Sequence, residues 1–236
     1  MISQISFKVQ TNKFNQNKNG RLQSTLERTP KKDCVSFSGI KGVKIAQDLK
    51  NALDTRVFKF RKNNGQIFEG TIKEYLKSCN IRSDDIKYLK QTGIMHNTYF
   101  EQAKAILEHG LDWTKTSRVQ CGPGTYFIPC QDFNYGPVAI EGFYQGNMKK
   151  LPIFEKNFYE AIRDNREVHG IISKYGVSDT NKTLNQYCHD VLADEMGIDV
   201  LYSPNRESAC YVVLKDDSLK LHPYNFKIVD GKIKRD

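Results

Sequence analysis

The stretch that decides how the chain is read is Met95-His96-Asn97-Thr98-Tyr99-Phe100-Glu101-Gln102-Ala103-Lys104-Ala105-Ile106-Leu107-Glu108-His109-Gly110-Leu111. Ile94 and Met95 read as a short apolar strand that ends at His96. Phe100, Ala103, Ile106 and Leu107 recur at helical spacing, one apolar stripe of a short amphipathic helix. Gly110 stops that helix at the left-handed cap position, and Leu111 supplies the apolar contact beyond it. A titratable imidazole thus stands at the mouth of a strand-to-helix junction, where ligands commonly bind. Downstream, Cys121-Gly122-Pro123-Gly124-Thr125-Tyr126-Phe127-Ile128 sets two glycines around a proline, letting the backbone approach a flat group, and continues as an aromatic strand. Nine residues after Tyr126 stands Tyr135, in Asp132-Phe133-Asn134-Tyr135-Gly136.

The order of these phrases resembles the ADP-ribosyltransferase superfamily of the diphtheria-toxin and poly(ADP-ribose) polymerase type. That family's pattern is a strand ending in His-Gly-Thr/Ser, a helix ending in Ile-Leu-x-x-Gly-Leu/Phe, then Gly-x-Gly-x-Tyr-Phe and a second Tyr. Here the phrases read His96-Asn97-Thr98, Ile106 to Leu111, Gly122 to Phe127, and Tyr135. About forty residues carry the close match, and Asn97 stands where the family has Gly. The resemblance implies an α+β fold with a split β-sheet core, and NAD as the substrate. His96 would hold a ribose with Thr98 beside it, and Asn97 and Gly124 would line the nicotinamide. Tyr126 and Tyr135 would sandwich that ring. The family's late Glu-Tyr-Val-Val strand, whose Glu holds the ribose 2′-hydroxyl, is echoed by Cys210-Tyr211-Val212-Val213. Strict register therefore puts Cys210 in the acid's position, and Glu207, three residues earlier, is the candidate carboxylate if a bulge brings it in.

The implied reaction breaks the nicotinamide–ribose bond through an oxocarbenium-like sugar. It needs the leaving ring held flat, the ribose hydroxyls fixed, and a negative charge near the developing cation. Catalysis would fall to His96, Tyr126 and Glu207. The expected activity is mono-transfer to a macromolecular acceptor, protein or nucleic acid, in the manner of a bacterial effector or toxin acting in a cytosol. An NAD glycohydrolase and a non-catalytic NAD- or ADP-ribose-binding module are the rivals. RNA 2′-phosphate transfer is disfavoured, since no paired Arg/His set for a phosphate is visible. Taken singly, each piece has a bland reading: a structural His, core aromatics, a turn, and for Glu207 a solvated acid beside Arg206.

Composition bounds the answer. The 236 residues have 39% hydrophobic content and a net charge of +9, enough for one core with appendages. No window approaches the length of an apolar membrane span and no secretory signal is visible, so no membrane partner is expected. No Cys/His pairs have zinc-finger spacing, so no metal is expected. Residues 1–42 hold eight Lys/Arg against two Asp/Glu, which leaves +3 for residues 43–236. Rich in Asn, Gln, Ser and Lys, they read as a flexible leader, and the transferase-like domain is placed at 43–236. Nucleic-acid binding by the folded body is not expected, because no Lys/Arg stripe with interleaved aromatics stands out. The six cysteines form no C-x-x-C. Cys121 and Cys130 could meet across a hairpin, although buried thiols in a reducing compartment fit better.

Along the chain, Val43 to Leu53 reads as helix, and Asn63-Asn64-Gly65 as the turn of a hairpin between Arg56–Phe60 and Ile67–Ile72. A helix through Tyr75, Leu76 and Cys79 follows. Ser83-Asp84-Asp85 reads as a cap into Ile86–Leu89. From Tyr135 to Gly197 the pattern is mostly helical, a departure from the strand-richer family, with His189 and Asp190 on a solvated edge. Strands are expected at Ile198–Tyr202 and Cys210–Leu214, the latter buried on both faces. Short β elements at Leu219–Leu221 and Phe226–Val229, with an Asp230-Gly231 turn, close the chain.

Overall fold

The computed structural model describes residues 44–116, 119–204, 210–230 and 232–235. The leader and Glu207 lie outside the described residues. The first helix, α1, is Gln47–Thr55, followed by the hairpin β1 (Phe58–Arg61) and β2 (Ile67–Gly70). Next come α2 (Ile72–Cys79), β3 (Asn80–Asp85), α3 (Lys87–Gln91), β4 (Ile94–Thr98) and α4 (Phe100–His109). Then β5 (Thr125–Phe127), a 3-10 turn at Phe133–Tyr135, β6 (Val138–Tyr144) and β7 (Lys150–Phe154) lead into α5 (Glu160–Arg163), α6 (Arg166–Lys174) and α7 (Thr180–Asp190). The strands β8 (Val200–Ser203), β9 (Cys210–Val213), β10 (Leu219–Pro223), β11 (Phe226–Val229) and β12 (Lys232–Arg235) finish it.

Two main sheets result. One has the strand order β3-β7-β8-β9-β5, the other β10-β6-β4, and β11 and β12 form a separate hairpin. The main-chain link between the two main sheets, among the described residues, is the Met95–Ile128 bridge, with N–O distances of 2.8 and 2.9 Å. Alternation divides the five-stranded sheet. Its one face gives Leu201, Cys210 and Val212 to a core shared with α1, α2, α6 and α7. The other gives Phe127, Val200, Tyr211 and Val213 to a core with Ile94, Leu89, Tyr144 and Leu219. All four residues of β9 are buried, as its apolar run predicts.

Several elements differ from the sequence reading. The interval after Tyr135 opens with two strands, β6 and β7, before any helix. Val138-Ala139-Ile140 is a run buried throughout, and periodicity alone does not separate such a strand from a buried helix. Ser83, Asp84 and Asp85 belong to β3, an edge strand with every residue exposed, so no alternation marks it. Asp85 still plays its capping part, its carboxylate accepting from Lys87 N at 2.9 Å. The strand β4 runs on through His96, Asn97 and Thr98 rather than ending at His96, because all three pair with β6. The strand expected at Ile198–Tyr202 starts at Val200 and runs on to Ser203, which pairs with Cys210. His189 is no solvated edge. Its ring stacks on Trp113 at 4.3 Å and its Nε2 donates to Leu214 O at 2.8 Å. The helix α7 passes into a π-helical turn, Val191–Glu195, before Gly197 with φ 67°.

Candidate active site

Each piece of the resemblance is positioned by a local physical cause. The helix α4 ends at Gly110, φ 84°, with Gly110 N bonded to Ile106 O. Its apolar stripe, through Ala103, covers the start of β6. This fixes the direction in which the chain leaves β4. Gly124 lies so close to β9 that a Cβ there would meet Val212 Cγ1 and Val213 O at 2.6 Å each. The glycine is what lets β5 pair with β9, Tyr126 opposite Val212.

His96 sits where the two sheets meet. Its Nδ1 lies 2.8 Å from Tyr126 O. A carbonyl only accepts, so Nδ1 carries the proton and Nε2 is the acceptor. The ring packs against Phe127, centroids 5.3 Å apart. Burial pushes the imidazole below its usual pKa, against the pull of the Tyr126 carbonyl, and so favours this neutral form.

Tyr126 meets His96 through its main chain alone. Its ring turns to the other side of β5 and packs against the helical core. There the hydroxyl donates to Gly122 O at 2.7 Å and accepts from Cys121 N at 2.8 Å. Burial, followed by the neighbouring Cys121, pushes this phenol well above its usual pKa. Tyr126 therefore staples the Cys121-Gly122 turn to β5.

Tyr135 is held differently. Asn97 Oδ1 accepts from Asp132 N at 3.1 Å, clipping the 3-10 turn to β4. Asp132 in turn caps that turn, its carboxylate accepting from Asn134 N. Gly136, φ 147°, lies flush on Thr98, and a Cβ there would collide with the Thr98 carbonyl. The side chain of Asn97 is thus a strut for the turn, with its Nδ2 buried and unpaired. Tyr135 itself is 52% exposed, beside Phe133 at 60%, Tyr99 at 63% and Phe100 at 38%.

Cys210 opens β9, buried opposite Ser203, with its thiol 3.8 Å from Ser203 O. It also hydrogen-bonds the Cys121 thiol. That contact, with Ser203, pulls Cys121 down against burial, while Cys121 and burial push Cys210 up. The partner of Cys121 is therefore Cys210, and Cys130 is exposed. Sequence reasoning could not pair Cys121 with a residue 89 positions away. A shallow cavity of about 430 Å³ lies elsewhere, lined by Lys59, Arg61, Asn157 and Asp164 among others. Among the described residues there is no group of three or more side chains fit to hold a metal ion, and no helix long and apolar enough to cross a membrane.

The described geometry therefore holds His96 to the Tyr126 main chain where the sheets meet and seats the Tyr135 turn on Thr98, while Gly124 packs against β9. It sends the Tyr126 ring to the far side of β5 and puts a thiol at the start of β9. Comparisons with family models, curated proteins and solved structures found no match for this chain.

Proposed function

We propose that the chain is an NAD-dependent ADP-ribosyltransferase that releases nicotinamide and modifies a macromolecular acceptor one unit at a time. The observation that carries the reading is the tautomer of His96. A neutral imidazole, fixed by the Tyr126 carbonyl and presenting Nε2 as acceptor, suits a ribose hydroxyl. The exposed Tyr135 ring, seated by Asn97 and Gly136 on the same strand, supplies a flat face for nicotinamide. The split sheet with β4 and β5 meeting at its seam also supports the resemblance. Tyr126 fits a two-ring sandwich less well, because its hydroxyl and ring serve the turn behind β5. In this reading it shapes the site, while His96 and Tyr135 touch the substrate.

Cys210 favours a second reading. A buried thiol where the family carries an acid gives no charge to the developing sugar cation, which suits an NAD-binding module without turnover. One experiment separates the two. Nicotinamide release from NAD is measured for the wild type, His96→Ala, Tyr135→Ala and Glu207→Gln, with thermal melts as the folding control. Transfer predicts release by the wild type and a loss of roughly 100-fold in His96→Ala and in Glu207→Gln. A wild type that is stabilised by NAD but releases nothing would sink the transferase reading and leave the binding module.

A further inference from the structure

The shallow cavity beside β1 has a charge balance that its mixed lining conceals. One wall is β1 with the turn after it, and the other is the segment from Asn157 to Asn165. Alternation decides what β1 presents. Phe58 and Phe60 are buried in the helical core, so Lys59 and Arg61 stand together on the outer face. Lys62 follows, its ammonium 5.4 Å from the centroid of the Phe68 ring. Residues 56–62 hold four Lys/Arg and no Asp/Glu. Of these cations Arg56 is paired, 3.0 Å from Glu167. The other three, Lys59, Arg61 and Lys62, all line the cavity and have no carboxylate partner among the described residues.

The opposite wall carries two acids, and both are already engaged. Arg163, from α5, donates to the two carboxylate oxygens of Asp164 at 2.8 and 3.0 Å and lies 3.8 Å from Glu160. Asn165 fixes one wall to the other. Its Nδ2 donates to Lys59 O at 3.0 Å, while its Oδ1 caps α6 by accepting from Glu167 N and Val168 N. Asn157, φ 57°, turns the chain into α5, and its side-chain amide has no hydrogen-bond partner among the described residues. Three cations and a free amide thus line one space of about 430 Å³. Their mutual repulsion is relieved by an anion placed between them. No aromatic side chain lines the cavity, so it offers no platform on which a base could stack.

We propose that this cavity binds a small molecule carrying two or more phosphates and no aromatic ring, held by Lys59, Arg61 and Lys62. The Arg61 guanidinium suits two oxygens of one phosphate, and the lysines act as point charges on the next. Neither His96 nor Tyr135 lines the cavity, so this binding does not rest on the transfer reaction proposed above.

The test uses the full chain, isotope-labelled, and follows backbone amide shifts at low salt as inorganic tripolyphosphate or fructose 1,6-bisphosphate is added. The amides of Lys59, Arg61 and Asn157 shift along a saturating curve, and the tighter of the two probes tells linked phosphates from sugar-borne ones. Lys59→Gln/Arg61→Gln, at two exposed positions, raises the half-saturating concentration roughly 10-fold or more, the worth of at least one charge-assisted hydrogen bond. Asp164→Asn removes a negative charge from the rim and lowers that concentration roughly 2- to 5-fold. ATP binds no more tightly than tripolyphosphate, because its base finds nothing to stack on. The basic leader is the same in every variant, so these differences report the cavity. The proposal fails if the three amides do not shift with either probe, or if the double variant titrates like the wild type. It fails equally if sodium sulfate at matched ionic strength moves the same amides as far, which would leave a general salt effect. Tighter binding of ATP, or of a mixed-sequence single-stranded oligonucleotide counted per phosphate, would give the surface to a base-bearing ligand and overturn the assignment.

Discussion

At the residue scale, burial can decide the charge of a group. His96 is held neutral by burial against the pull of the Tyr126 carbonyl, which accepts from Nδ1 and so fixes the tautomer. Asp216 is the opposite case. Burial, and then the nearby Asp112, push its carboxyl up to about 7, while His189 and the Trp113 main chain pull the other way. Its Oδ1 is buried without a partner. The folded chain therefore holds a proton that the unfolded chain releases near pH 4. Stability present below that value is lost as the pH rises toward 7. Asp216→Asn should accordingly raise the melting temperature at pH 8 by roughly 2–4 °C, with little change at pH 4. Equal shifts at both pH values would show that titration is not the cause. Nothing in the sequence flagged this cluster, since Trp113, His189 and Asp216 come from three distant segments.

At the scale of elements, the sequence was most legible where chain chemistry is local. Gly65 with φ 84° turns the first hairpin, Thr71 and Glu74 form a reciprocal cap on α2, and Gly110 and Gly197 stop their segments. It was least legible where a strand shows no alternation. The wholly exposed β3 looked like a cap, and the buried opening of β6 looked like helix. Of the candidate site, motif order put the Tyr135 turn with the His96 strand, and Asn97 and Thr98 of that strand hold the turn. The direction of the Tyr126 ring depended on which face of β5 meets the helices, which no motif states. The tightest joint between elements is Gly136 on Thr98. Gly136→Ala must displace the carbonyl it would strike, at a positive φ that disfavours any side chain, so it should cost more than about 1 kcal/mol. A melting temperature within one degree of the wild type would contradict that packing.

Taken as a whole, the molecule divides its interior between two cores on either side of β9. Composition gave the total charge but not its address: residues 56–62 and residues 220–235 each hold a net +4, against +3 for residues 43–236 together. The Met95–Ile128 bridge has a consequence for motion. Two main-chain hydrogen bonds act as a spine between leaves that otherwise touch through side chains, so the leaves can part there at less cost than within either one. Deuterium should enter the Met95 and Ile128 amides well before those of Leu201 and Val212, which lie in the middle of paired strands. Uptake at equal rates would mean that the two leaves open only when the whole protein unfolds.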